Sequence, residues 1–198
     1  HRVHRRQRQM CIRDSQYENP KGIYFGGHQL EPIVEKLKTP LLKWSKAYSH
    51  ILAIDLHTGY GEKGRLHILS SRPYQKEPGY DQIIGQYPVD YDDDKDFYAA
   101  QGDIGTFFYQ LFSDRKSRIP LTYEFGTKDS QNILGGFDSL KNMIYENQGF
   151  HFGYKNKTSE EKTKKDFMEM FNPSSNPWRK NALKKGLEYL NTMLENFG

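Results

Sequence analysis

Ile51-Leu52-Ala53-Ile54-Asp55-Leu56-His57-Thr58-Gly59 opens with four consecutive apolar residues and closes on a polar, glycine-ended turn. Such a run predicts a β-strand buried on both faces, as in a parallel sheet; alternation is needed only where one face meets water. Before it, residues 31–49 read as helix. Ile33, Val34, Leu37, Leu41, Trp44 and Tyr48 recur at helical spacing, Pro32 suits a first turn, and Thr39-Pro40 kinks or restarts it. After it, Leu66 to Leu69 reads as the next strand. Residues 70–95, rich in Pro, Gly, Tyr and Asp, read as a long loop or lid with a short helix inside.

The remainder keeps this rhythm. Asp103 to Phe112 reads as an amphipathic helix, and Leu121 to Phe125 as a strand running into Gly126-Thr127. Residues 131–148 read as helix in spite of Gly135-Gly136. Residues 155–165 form a lysine-rich, solvated stretch that ends at Phe167 to Phe171. In the last helix Leu183, Leu187, Leu190 and Leu194 make one stripe. Strands alternating with helices predict an α/β layered fold, in which ligands bind at the carboxyl ends of strands. Asp55 to Gly59 and Glu124 to Thr127 occupy such ends.

Composition narrows the function classes. The 198 residues include 14 Tyr and 12 Phe, which argues against wholesale disorder. No apolar run approaches the ~20 residues needed to span a bilayer. The one cysteine cannot form an intramolecular disulfide, which fits a reducing, cytoplasmic setting with no membrane partner. The net charge of +4 lies entirely in residues 1–15, where five Arg stand against Asp14; the rest holds 24 basic and 24 acidic residues. A basic arm for nucleic acid is therefore a distant reading, and no nucleic-acid partner is expected. Within that tail, Gln9-Met10-Cys11-Ile12-Arg13-Asp14-Ser15 resembles a translated sequencing-adapter end. On that view residues 1–15 are a non-native tail, and residues 16–198 are the C-terminal part of one domain.

Two residues stand out chemically. His57 follows the apolar strand and precedes Gly59, Gly61 and Gly64, which would let a substrate approach the backbone. It could equally be a hydrogen-bonded loop histidine. Asp55, two residues earlier, would face the same side of a continuing strand and could orient a metal ligand, or cap the turn. Glu124, between Tyr123 and Phe125 at a strand end, would be partly desolvated and a better general base, unless it pairs with Arg118 or a lysine. Arg65 could fork onto a substrate carboxylate, and Tyr123 or Tyr60 could donate to an oxyanion. His28-Gln29-Leu30-Glu31 has metal-ligand spacing but reads as a helix start. His50, His67 and His151 read as structural or surface, and Asp92-Asp93-Asp94 as a solvated turn.

Taken together, Asp-Leu-His-Thr-Gly at 55–59, Tyr-Glu-Phe-Gly-Thr at 123–127 and the segment Gln16 to Gly27 resemble the hydrolases related to zinc carboxypeptidases and to the succinylglutamate desuccinylase and aspartoacylase group. The resemblance implies a mixed, mostly parallel sheet flanked by helices, with its N-terminal strands missing from this chain. It implies a zinc ion (Zn2+), His57 as one metal ligand and Glu124 as the catalytic base. The substrate would be a peptide or an N-acyl amino acid. The family's His-x-x-Glu motif would lie upstream of residue 16, so the chain would hold one metal ligand of three. A catalytically incomplete, metal-free fragment is the alternative.

Overall fold

The computed structural model describes residues 18–27, 32–85, 87–91 and 104–197. The basic tail, the His28 to Glu31 motif and the Asp92-Asp93-Asp94 turn lie outside the described residues. Among the described residues, no helix is long and apolar enough to cross a membrane.

The elements follow the expected order except that a strand, Val89–Tyr91, lies within residues 70–95, which read as a loop or lid, and a helix, Lys157–Phe171, covers the stretch read as solvated. They are α1 (Pro32–Ser45), β1 (His50–Gly59), β2 (Leu66–Ser70), a 3-10 turn (Arg72–Lys76), α2 (Tyr80–Ile84), β3 (Val89–Tyr91), α3 (Ile104–Leu111), β4 (Ser117–Gly126), α4 (Ile133–Phe152), α5 (Lys157–Phe171) and α6 (Asn176–Asn196). The strands form one mixed, mostly parallel sheet, in the order β1-β4-β2-β3, and the fold is α/β with helices flanking the sheet. β2 and β3 pair in parallel. The backbone N–H groups of Lys116 and Ser117 donate to the Ser49 carbonyl, so the starts of β1 and β4 lie side by side. Gly126 N–H donates to the Arg65 carbonyl, which sets the end of β4 against the start of β2.

The chain divides into two compact units. One comprises His57–Leu66, Glu124–Gly186 and the described part of His1–Gly26; the other comprises Gly27–Leu56, His67–Tyr123 and Leu187–Gly198. Most of the sheet belongs to the second unit, and β1 and β4 each continue over their last residues into the first. In the second unit Ile68, Ile119, Leu121, Tyr123, Tyr80, Ile83 and Met193 are buried. Burying each such aliphatic side chain contributes roughly 1.5–3 kcal/mol.

β1, β3, α5 and α6 differ from the sequence reading. The apolar run of β1 is not buried on both faces: β1 is an outer strand, and none of its residues is fully buried. The strands enclosed on both sides are β2, buried along its whole length, and β4, which alternates far less than its polar residues suggest. The lysine-rich stretch is helical. Its lysines pair with acids one turn away, Lys157 with Glu161, Lys162 with Asp166 and Lys164 with Glu160, so solvation and helix coexist. On α6 the leucine stripe is turned outward, with Leu183, Leu187 and Leu194 exposed. The buried positions of that helix are Trp178 and Met193 instead. Pro40 sits inside α1 without breaking it.

α5 begins with a reciprocal cap. The Asn156 side chain accepts from the Ser159 N–H at 2.8 Å, and Asn156 N–H donates to the Ser159 hydroxyl at 3.0 Å. These bonds satisfy donors that have no partner within the helix. Asn156→Ala is expected to destabilise the chain by about 1 kcal/mol. Urea unfolding with an unchanged m-value checks this, and an unchanged midpoint would show that the cap is dispensable.

Candidate functional site

β1 and β4 deliver the two candidate residues to one place. His57 lies near the end of β1 and Glu124 near the end of β4, both in the first unit. His57 Nδ1 is 3.7 Å from Glu124 Oε2. The carboxylate is 5% exposed and the imidazole 42%, so a buried acid meets a solvent-facing ring. Glu124 Oε1 accepts the Tyr60 N–H at 3.0 Å. An ionised carboxylate in such a place is costly unless hydrogen-bonded, and a backbone donor supplies part of what water would.

The Tyr60 N–H reaches the carboxylate because Gly59 turns the chain. Its φ of 141° is a conformation that L side chains rarely adopt. A Cβ added there would lie 3.4 Å from the Phe171 ring and 3.9 Å from Glu124 Oε1. The turn that follows is tied down along its length. Gly61 N–H donates to the Ser130 hydroxyl at 3.0 Å, and Lys63 N–H to the Asp129 carboxylate at 2.7 Å. Gly64 N–H donates to the Gly126 carbonyl at 2.9 Å. That carbonyl also accepts the Trp178 indole N–H at 2.8 Å, so both of its lone pairs are used. Gly126 cannot carry a side chain, since a Cβ would fall 1.9 Å from the Glu62 carbonyl oxygen.

Two threonines join the end of α5 to this rim. The buried Thr127 hydroxyl approaches the Gly59 carbonyl at 3.0 Å and the Met170 carbonyl at 2.6 Å. The Thr58 hydroxyl donates to the Phe171 carbonyl. The last carbonyls of a helix have no partner within it, and here side chains flanking the site supply donors.

The other candidates fall elsewhere. Tyr123 is buried in the second unit, with its hydroxyl donating to Met193 Sδ at 2.9 Å, and burial pushes its phenol well above the ordinary range. Being next to Glu124 on a strand, it points to the opposite face. Arg65 forms a solvent-exposed pair with Glu62 at 3.8 Å. Asp55 is half-buried on β1, on the same side of the strand as His57. Arg118 pairs with Glu77, at 3.6 Å, and covers the Tyr109 ring. His67 is buried, with Nδ1 3.0 Å from Asp90. Ser130, Trp178 and Phe171 are not legible in the sequence as parts of the rim, whereas Thr127 belongs to the strand-end motif read there. The glycine-rich turn signals that something approaches the backbone there, but no local pattern names partners 52 to 113 positions away.

A zinc site needs three or four protein ligands for tight binding. Among the described residues, no group of three or more His, Cys, Asp or Glu side chains is placed to hold a metal ion. One imidazole and one carboxylate do not compose such a site, so the described residues do not fit the ion as a complete ligand set.

Residues 2–185 match the model of one protein family, described as a protein of unknown function, DUF2817. No curated protein and no solved structure matches the chain.

Two substitutions test the rim. Gly59→Ala is expected to cost about 1–3 kcal/mol through the strained backbone. Thr127→Val, which removes the single hydroxyl proton shared between the Gly59 and Met170 carbonyls, is expected to cost a similar ~1–3 kcal/mol, with Thr127→Ser retaining most of the stability. Thermal and urea unfolding measure both, and wild-type stability in Thr127→Val would detach that hydroxyl from the architecture.

Proposed function

We propose that this chain, which belongs to the DUF2817 family, carries the general-base machinery of a hydrolase acting on amide or peptide bonds. One observation carries the reading: a buried carboxylate held by a backbone N–H, with a solvent-facing imidazole 3.7 Å away, at the carboxyl ends of two strands. Strand ends in α/β folds are where ligands bind, and a base in a low-dielectric setting gains strength as a proton acceptor.

The chemistry follows from these groups. Glu124 takes a proton from a water molecule as the water oxygen adds to the carbonyl carbon of the amide. His57, beside it, faces the developing oxyanion as a hydrogen-bond donor. Glu124 then returns the proton to the amine nitrogen as the carbon–nitrogen bond breaks. The Tyr60 N–H holds one carboxylate oxygen throughout, leaving the other to handle the proton. The resemblance to zinc carboxypeptidases and deacylases supports the reaction class and the role of Glu124. Zinc enters no step here, because His57 would be one ligand of the three that such hydrolases use. Small peptides and N-acyl amino acids are the substrate class that this reading implies.

A second reading is favoured by that donor set: the chain folds, binds no metal tightly and is inactive. Hydrolysis separates the two. Under the first reading the full protein hydrolyses N-acyl amino acids or dipeptides, and Glu124→Gln lowers kcat/KM by roughly 10²–10⁴ while the fold persists. Unchanged turnover in that variant removes Glu124 from the mechanism, and no turnover in the wild type leaves the second reading standing.

A further inference from the structure

We propose that Phe171 is the specificity wall of this site, selecting substrates with an apolar, preferably aromatic, side chain next to the bond that is cut. The inference rests on the hydrolytic reading above for the word substrate, and on geometry for everything else. The Phe171 ring and the Glu124 carboxylate face the same bare glycine. From the point where a Gly59 Cβ would stand, two ring carbons lie at 3.4 Å and Glu124 Oε1 at 3.9 Å. An apolar surface and the Glu124 carboxylate therefore border the same open position at Gly59.

That surface is both anchored and open. It is anchored because Thr58 donates to the Phe171 carbonyl and Thr127 bonds the Met170 carbonyl. These threonines belong to the two segments that carry His57 and Glu124, so the wall is referenced to the reacting groups themselves. Phe167, one turn earlier on α5, packs edge-on against the ring at 5.2 Å and an interplanar angle of 66°. Yet Phe171 remains 37% exposed. A ring held from two sides with a third of its surface in water suits an aromatic partner, since offset and edge-on pairs add to plain burial. Acidic or strongly polar side chains would lose hydration there without gaining a partner.

The test separates binding from turnover. Calorimetric titration of the full protein uses N-acetyl-L-phenylalanine and N-acetylglycine as probes. The wild type is expected to bind the phenylalanine ligand about tenfold more tightly, the upper end of what an aromatic pair contributes. In Phe171→Ala that preference should fall to about twofold or less, with N-acetylglycine affinity unchanged. Phe171→Leu, which preserves an apolar side chain of similar bulk, should keep an intermediate preference and controls for loss of the α5 terminus. Equal affinities in the wild type, an undiminished preference in Phe171→Ala, or no binding of either probe would overturn the proposal. Hydrolysis reports on the other reading. A Glu124→Gln variant that keeps both the ligand preference and full turnover would sink the general base and leave the wall intact. A variant that loses turnover while Phe171→Ala keeps the preference would do the reverse.

Discussion

The hydrogen bond from the Tyr60 N–H to Glu124 Oε1 is the interaction on which the site depends. A carboxylate that is 5% exposed has surrendered most of its hydration. It stays where it is only if fixed donors replace part of that hydration. The donor is in place because Gly59 adopts a positive φ, which redirects the chain at the end of β1 and aims the next N–H at β4. A side chain at position 59 would be strained by the backbone and would also crowd the gap between carboxylate and ring. Backbone conformation and charge burial thus converge on one residue without a side chain.

What keeps that turn from relaxing is its redundancy. Ser130, Asp129 and Gly126 each hold one N–H of the turn, from the loop and strand end that follow Glu124. Asp129 does so from a left-handed backbone of its own, with φ 51°, a conformation that Asp tolerates better than most residues. The two loops therefore define each other, and neither has a reason to be ordered without its counterpart. Preorganisation of this kind would serve the general base proposed above, since proton transfer is sensitive to small errors in position.

α5 contributes through its end rather than its face. Its terminal carbonyls receive hydroxyls from Thr58, next to His57, and from Thr127, three residues after Glu124. The ring of Phe171 is delivered with those carbonyls. A helix begun by the Asn156 and Ser159 cap and lined with paired lysines is a stable arm for placing one side chain. The lysine-rich composition that suggested mere solvation describes only the outer surface of that arm.

The pattern of residues along the chain placed α1, β1, β2, α3, β4, α4 and α6, since hydrophobic period and turn chemistry are local properties, but it missed β3 within residues 70–95 and the helix α5. It also singled out His57 and Glu124, because a polar residue at the end of an apolar strand contradicts its surroundings. Which strand is central could not be read locally. Ile51 to Ile54 looks more buried than Ser117 to Gly126, yet β1 lies at the outside and β4 within, because pairing order depends on contacts between distant segments. The leucine stripe of α6 misled for the same reason: periodicity shows that a helix has two sides, and packing decides which one is covered. Tyr123 could not be assigned to core or rim until Met193, 70 positions on, was found at its hydroxyl. Phe171 had no local signature at all. Its place beside Glu124 follows from two threonine hydroxyls meeting the end of a helix, a meeting that only the folded chain brings about.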